Sequence, residues 1–182
     1  MAVVVERHLG DGSLPHVDAN YAMAQHGDTA GVQQQGTLQR SEALIQELES
    51  ADVLVIGTPM HNLGLPSVLK AWIDHVVQAR RSFSIGPAGK IGLLRDRPVF
   101  VAVASGGIFS GPNARQPDFL TPYLKIVLDM IGLKDLRFFT VEGTGHGPLA
   151  VAEARARADQ ALAAHFGERG LVRQASPLVP LS

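Results

Sequence analysis

The sequence predicts an α/β fold built on an open parallel sheet. Two observations carry that prediction. Short apolar or β-branched runs alternate with helical patterns from end to end. The two middle runs, DVLVIG (residues 52–57) and RPVFVAVA (97–104), are almost uninterrupted in apolar character. Such runs suit strands buried on both faces of a parallel sheet, whose crossovers are right-handed by default.

AVVVE (residues 2–6) is the first strand candidate, and irregular sequence comes after it. Residues 37–51 read as a helix with Leu38, Leu44, Ile45 and Leu48 as its apolar stripe. Strand 52–57 leads through GTPMHNLGLP into a helix at 66–79. Pro66 suits its first turn, where a missing N–H costs nothing, and Leu65, Leu69, Trp72, Ile73, Val76 and Val77 share one face. Strand 97–104 precedes a helix at 117–132. It carries Leu120, Leu124, Val127, Leu128 and Ile131 on one side and ends at Gly132, read as a C-cap. Residues 136–143 form the last strand and 147–167 an alanine-rich closing helix. Residues 170–182 read as a loose tail or one packed on a partner. There is no internal repeat, so residues 1–182 are expected to form a single domain.

Composition narrows the function. With 46% hydrophobic and 18% charged residues the chain is not of the disordered class. A net charge of −1 without a long basic run argues against nucleic acid or an anionic membrane as main partner. No apolar stretch approaches membrane-spanning length, and the start MAVVVERHLGDG lacks the basic and apolar regions of a signal peptide. The absence of cysteine excludes disulfides and thiolate chemistry and is compatible with the cytoplasm, the expected location. The histidines show no HxH or HExxH spacing, so no metal is expected.

In an open parallel sheet, ligands bind beyond the carboxyl ends of the strands. TPMHNLG, SGGIFSGP and EGTGHGP stand there. The first offers an irregular backbone with unladdered polar groups, the Asn62 amide, and soft apolar surface from Met60, His61 and Leu63. The second offers the Ser105 hydroxyl and a glycine pair that lets a ligand approach the main chain. No carboxylate pair or Ser/His/Asp set is present, which disfavours hydrolysis. The pattern suits an uncharged heteroaromatic ring held by main-chain hydrogen bonds.

The stretch PMHNLGLPSVLKAWIDHVVQARRSF closely resembles PMYNFxxPxxLKxWxDxVxRxGxTF of the FMN-dependent NADH:quinone oxidoreductases. This family is also called azoreductases and, in older usage, acyl-carrier-protein phosphodiesterases. ASGGIFSGP, DFLTPYLKIVLDMIGLKDLRFFTVEG and GHGP keep the family's order and spacing, so the resemblance covers about residues 41–166. It implies a flavodoxin-like fold, a homodimer, FMN at the dimer interface, and NADH or NADPH as co-substrate. The implied reaction is reduction of quinones or azo compounds by ping-pong hydride transfer. Carried over by position, Pro59, Met60, His61, Asn62 and Leu63 hold the ring, while Ser105, Gly106 and Gly107 line its other edge. Phe83, Ile85, Phe109 and Met130 fall where the family builds its substrate pocket, partly from the second subunit. No catalytic side chain is implied. His61 stands in place of the usual Tyr or Trp, and Leu63 in place of a frequent Phe.

The resemblance also implies a first strand, a Ser-rich phosphate loop and a helix, which this sequence does not show. VVVERHLGDGSLPHVDANYAMA instead resembles the family's second strand and the segment after that strand. The expected sheet is therefore N-terminally shortened, with three arrangements open. The sequence can lack residues of the natural gene product; residues 2–6 can move into the central position, with RHLGDGSLP and Ser13 as a makeshift phosphate loop; or another chain can complete the sheet. The second is the favoured expectation, since the first strand is the nearest filler for the centre. The alternative function is a flavodoxin-like relic without FMN, acting as a dimeric binding or regulatory module.

Overall fold

The computed structural model describes residues 2–25 and 36–167. Its elements are α1 (Ala19–Gln25), α2 (Thr37–Ser50), β1 (Leu54–Pro59), α3 (Ser67–Val76), β2 (Phe83–Gly86), β3 (Gly89–Gly92), β4 (Val99–Ala104), α4 (Thr121–Met130), β5 (Leu136–Val141) and α5 (Pro148–Gly167). Among the described residues the main sheet has the order β1-β4-β5 and is parallel throughout, in register from Leu54↔Val99 to Pro59↔Ala104 and from Val99↔Leu136 to Ala104↔Val141. This register brings the three carboxyl ends level, so the loops after them form one surface.

The expected helical stripes become the core. Leu44, Ile45 and Leu48 of α2, Leu69, Trp72, Ile73 and Val76 of α3, and Leu124, Val127 and Leu128 of α4 form one cluster with Ile56, Val99, Val101 and Val103 of the sheet. α4 stops as its glycine suggests. Gly132 takes φ +105, its N–H donates to Asp129 O (2.9 Å), and the Leu133 N–H donates to Leu128 O (3.0 Å), a Schellman closure. Buried Arg97 caps the end of α2 by donating to the Leu48 and Ala51 carbonyls.

Two expectations need correction, and one element is unanticipated. First, β1 and β4 are buried on one face only. Ile56 and Thr58 are covered, whereas Val55 is 70% exposed. α5 covers the outer face only at the β4–β5 side, where Phe100 and Phe139 meet His165 and Phe166. Second, residues 2–6 form no strand and do not enter the sheet. Val3, Val4 and Val5 are 82%, 84% and 73% exposed. The next segment is fastened to the helices instead. Arg7 pairs with Glu47 of α2 and the Tyr21 hydroxyl donates to Asp74 O (2.7 Å) on α3. The fully buried His75 donates from Nε2 to Pro15 O (2.8 Å) and shares a hydrogen bond between Nδ1 and the Ser41 hydroxyl (2.7 Å). Among the described residues, no strand pairs with the outer edge of β1. Third, the β2–β3 hairpin was not legible in the pattern. It packs on the end of α4, where a Cβ on Gly92 would overlap the Ile131–Gly132 backbone. The tail 170–182 lies outside the described residues.

Candidate functional site

The first loop leaves β1 with the Met60 N–H still laddered to Ala104 O (2.7 Å). It then closes a two-residue turn, with His61 N–H to Gly64 O (2.9 Å) and Gly64 N–H to His61 O (3.0 Å). The two central residues, Asn62 (φ 47) and Leu63 (φ 69), are both left-handed. Asparagine tolerates this conformation; leucine meets a steric cost of roughly 1–2 kcal/mol. The turn is braced from outside by the Phe119 N–H donating to Leu63 O (3.1 Å). Its form turns the N–H groups of Asn62 and Leu63 away from any described protein acceptor and leaves the His61 and Asn62 side chains exposed.

The second loop begins at buried Ser105 and is zipped to the third. Ser105 O accepts from Thr144 N–H (3.1 Å) and Oγ1 (3.0 Å), Gly106 O from Gly145 N–H (3.1 Å), and Gly107 O from Gly143 N–H (3.1 Å). Its carbonyls are thus occupied, while the N–H groups of Gly106, Gly107 and Ile108 have no described protein acceptor. Glu142, just beyond β5, holds the far side of this loop. One carboxylate oxygen accepts from Phe109 N–H (2.7 Å) and Ser110 N–H (3.0 Å), and the other from Ser110 Oγ (2.6 Å) and Thr140 Oγ1 (2.9 Å). Burial pushes the Glu142 carboxyl up, but these hydrogen bonds outweigh it and leave it below its ordinary value.

Two strand-end loops therefore each present main-chain donors without partners among the described residues, and no side-chain carboxylate among the residues carrying those donors. That donor set fits the carbonyl and ring-nitrogen acceptors of an isoalloxazine ring. The expected phosphate loop does not fit. In RHLGDGSLP the Asp11 carboxylate accepts from Ser13 N–H (2.8 Å), and this contact with Ser13 holds its carboxyl below the ordinary value. An ionised carboxylate turned onto the one hydroxyl-bearing residue of that stretch opposes a phosphate rather than cradling it.

The structure brings Pro59, Met60, His61, Asn62 and Leu63 beside Ser105, Gly106 and Gly107 through the β1–β4 register. The four expected substrate residues stand in different settings. Phe109 and Phe83 are buried, Ile85 on the hairpin is 75% exposed, and Met130 lines a separate cavity with Tyr21, Val77 and Tyr123. Sequence reading missed Glu142, Gln116 and Phe119. Glu142 had a signal, a carboxylate immediately after a strand. The other two sit in an irregular stretch with none.

A family model described as flavodoxin-like fold matches residues 2–166. The chain is 51% identical over 162 residues to an FMN-dependent NADH:quinone oxidoreductase of Pseudomonas fluorescens, covering 88% of this chain and 76% of that protein. It is 46% identical over 162 residues to one of Burkholderia lata, covering 87% and 77%. Among solved structures, an FMN-dependent NADH-azoreductase from Bacillus anthracis in complex with FMN superposes with a TM-score of 0.72 at 27% identity, covering 87% of this chain and 79% of that one.

Proposed function

Because the chain belongs to the family of FMN-dependent NADH:quinone oxidoreductases with a flavodoxin-like fold, we propose that it is an FMN-dependent enzyme that oxidises NADH and reduces quinones or azo compounds. The observation that carries this reading is the set of main-chain N–H groups in the loops after β1 and β4 that have no acceptor among the described residues. FMN supplies the two-electron chemistry that no side chain of this protein offers.

The chain's own residues bind, orient and exclude water. The N–H groups of Asn62, Leu63, Gly106, Gly107 and Ile108 would hold ring acceptors. Pro59, Met60, His61 and Leu63 would cover one side with apolar or flat surface, and Ser105 would contribute its hydroxyl at the opposite edge. Such a site needs no general acid or base, so NADH and the acceptor can use it in turn, a ping-pong cycle. Within one chain Phe83 and Phe109 are buried while Ile85 is exposed. A substrate pocket drawn from them calls for a homodimer, with Ile85 on its exposed hairpin as the member that reaches the partner. NADH as reductant agrees with a cytoplasmic reaction. Among the described residues no helix is long and apolar enough to cross a membrane.

The test is a visible spectrum of purified protein after FMN addition and desalting. Retained flavin bands, bleaching by NADH, and parallel double-reciprocal lines with a quinone or azo acceptor are expected. A colourless protein that gains no thermal stability from FMN would overturn the reading and leave a non-redox binding module.

A further inference from the structure

The geometry points to Gln116 as a side-chain ligand of the bound flavin, donating from its carboxamide to the imide edge of the ring. This rests on the functional reading above and deepens it. Gln116 lies in no strand or helix, yet its backbone segment spans both candidate ring loops. The N–H groups of Arg115 and Gln116 donate to Ile108 O (2.8 and 3.3 Å), and three residues on Phe119 N–H donates to Leu63 O. From this strap the side chain reaches between the loops. Its Nε2 lies 3.1 Å from Met60 Sδ and 3.2 Å from Ser105 Oγ, and the Ser105 hydroxyl itself donates to Met60 Sδ (3.9 Å). The amide rests against Gly107, where a Cβ would overlap it. The second glycine of the pair thus makes room for this carboxamide.

The energetics favour exchange of partners. A thioether is a weak acceptor, so an N–H directed at Met60 Sδ gives up little when a carbonyl oxygen replaces the sulfur. The imide edge of an isoalloxazine presents carbonyl, N–H, carbonyl. A carboxamide with two donors and an acceptor complements it, beside the main-chain donors of Gly106 and Gly107. A donor on a ring carbonyl is also worth more once the ring is reduced and carries more negative charge. Gln116 should therefore raise both flavin affinity and flavin reduction potential.

The test compares wild type with Gln116→Leu and Gln116→Glu by FMN titration, by the midpoint potential of bound FMN, and by melting of the FMN-free protein. Gln116→Leu should weaken FMN binding roughly three- to tenfold, the worth of one hydrogen bond. It should bind reduced flavin up to tenfold less well relative to oxidised flavin, a fall of about 30 mV for a two-electron couple. Gln116→Glu, which loses the donors and adds negative charge, should fall further. Wild-type affinity and potential in both variants, even with lowered melting, would overturn the assignment and reduce Gln116 to a brace between loops. If Leu prevents folding, Glu alone decides. Wild-type protein that takes up no FMN overturns the underlying function and this assignment with it.

Discussion

The two loops that form the candidate site are held by different physics. The first, after β1, is held by its own backbone: a closed turn between His61 and Gly64 with Asn62 and Leu63 left-handed. The second, after β4, is held by its neighbours. Its carbonyls are taken by the loop after β5, and its far end by three hydrogen bonds to Glu142. One loop holds local strain and the other depends on a distant carboxylate. Both end with the same product, main-chain donors that have no partner among the described residues. The difference teaches where each loop breaks: the first within itself, the second at a residue more than thirty positions away.

The largest expected effect comes from Glu142→Ala. It removes every acceptor that the Phe109 and Ser110 N–H groups use. Since the site is partly open to water, a loss of about 2 kcal/mol is expected, not the sum of four charged hydrogen bonds. Denaturant unfolding would read this, and FMN binding should weaken in parallel. Glu142→Gln should fall between wild type and alanine. The same carboxylate gives a pH test. Its folded-state pKa is lowered, so its contribution is complete above the ordinary carboxylate value and is lost as pH falls through the lowered one. Glu142→Ala should therefore show a flatter loss of stability on acidification than wild type. Parallel pH profiles would show that Glu142 does not hold the loop as an anion.

A smaller effect is expected in the first loop. Asn62→Ala places an ordinary L-residue at φ 47 and should cost about 1 kcal/mol. Asn62→Gly keeps the turn without that penalty and deletes only the amide. Thermal melting should separate the two variants, alanine lower than glycine. FMN titration then assigns the ligand role. If both lose affinity, the amide itself contacts the ring; if only alanine does, the turn geometry is what matters. A glycine variant that melts below alanine would contradict the left-handed turn.

How much of this was legible in the sequence depends on the kind of force at each place. The stripes of α2, α3 and α4 were legible because burial imposes a period, and every residue of the α4 stripe is buried. The chemical character of both loops was legible from Pro, Gly and Asn, whose backbone preferences are local. Distant contacts decided the rest. AVVVE has the composition of a strand, but a strand needs a partner, and Arg7, Pro15 and Tyr21 bind its continuation to the helices. The apolar runs of β1 and β4 promised two covered faces, but coverage depends on where α5 lands. Gln116 and Glu142 matter through residues that no spacing rule connects to them. Phe109 stands at a pocket position of the family pattern, and its burial in the core becomes visible only once the loop is folded.

The smallest effect is the sharpest test of the comparison. Leu63→Gly relieves a left-handed leucine, a gain of roughly 1 kcal/mol. Against this stand the greater freedom of glycine in the unfolded chain, about 0.5–1 kcal/mol, and the lost contacts of a half-buried side chain. The terms oppose, so a net change within about 0.5 kcal/mol is expected, read as an almost unmoved melting temperature. Leu63→Val must behave differently, because a β-branched residue at φ 69 is a steric outlier. It should melt clearly below Leu63→Gly despite resembling leucine more. If valine is tolerated and glycine is costly, Leu63 is held by packing rather than by the turn. The first loop would then, like the second, be an object shaped by its neighbours.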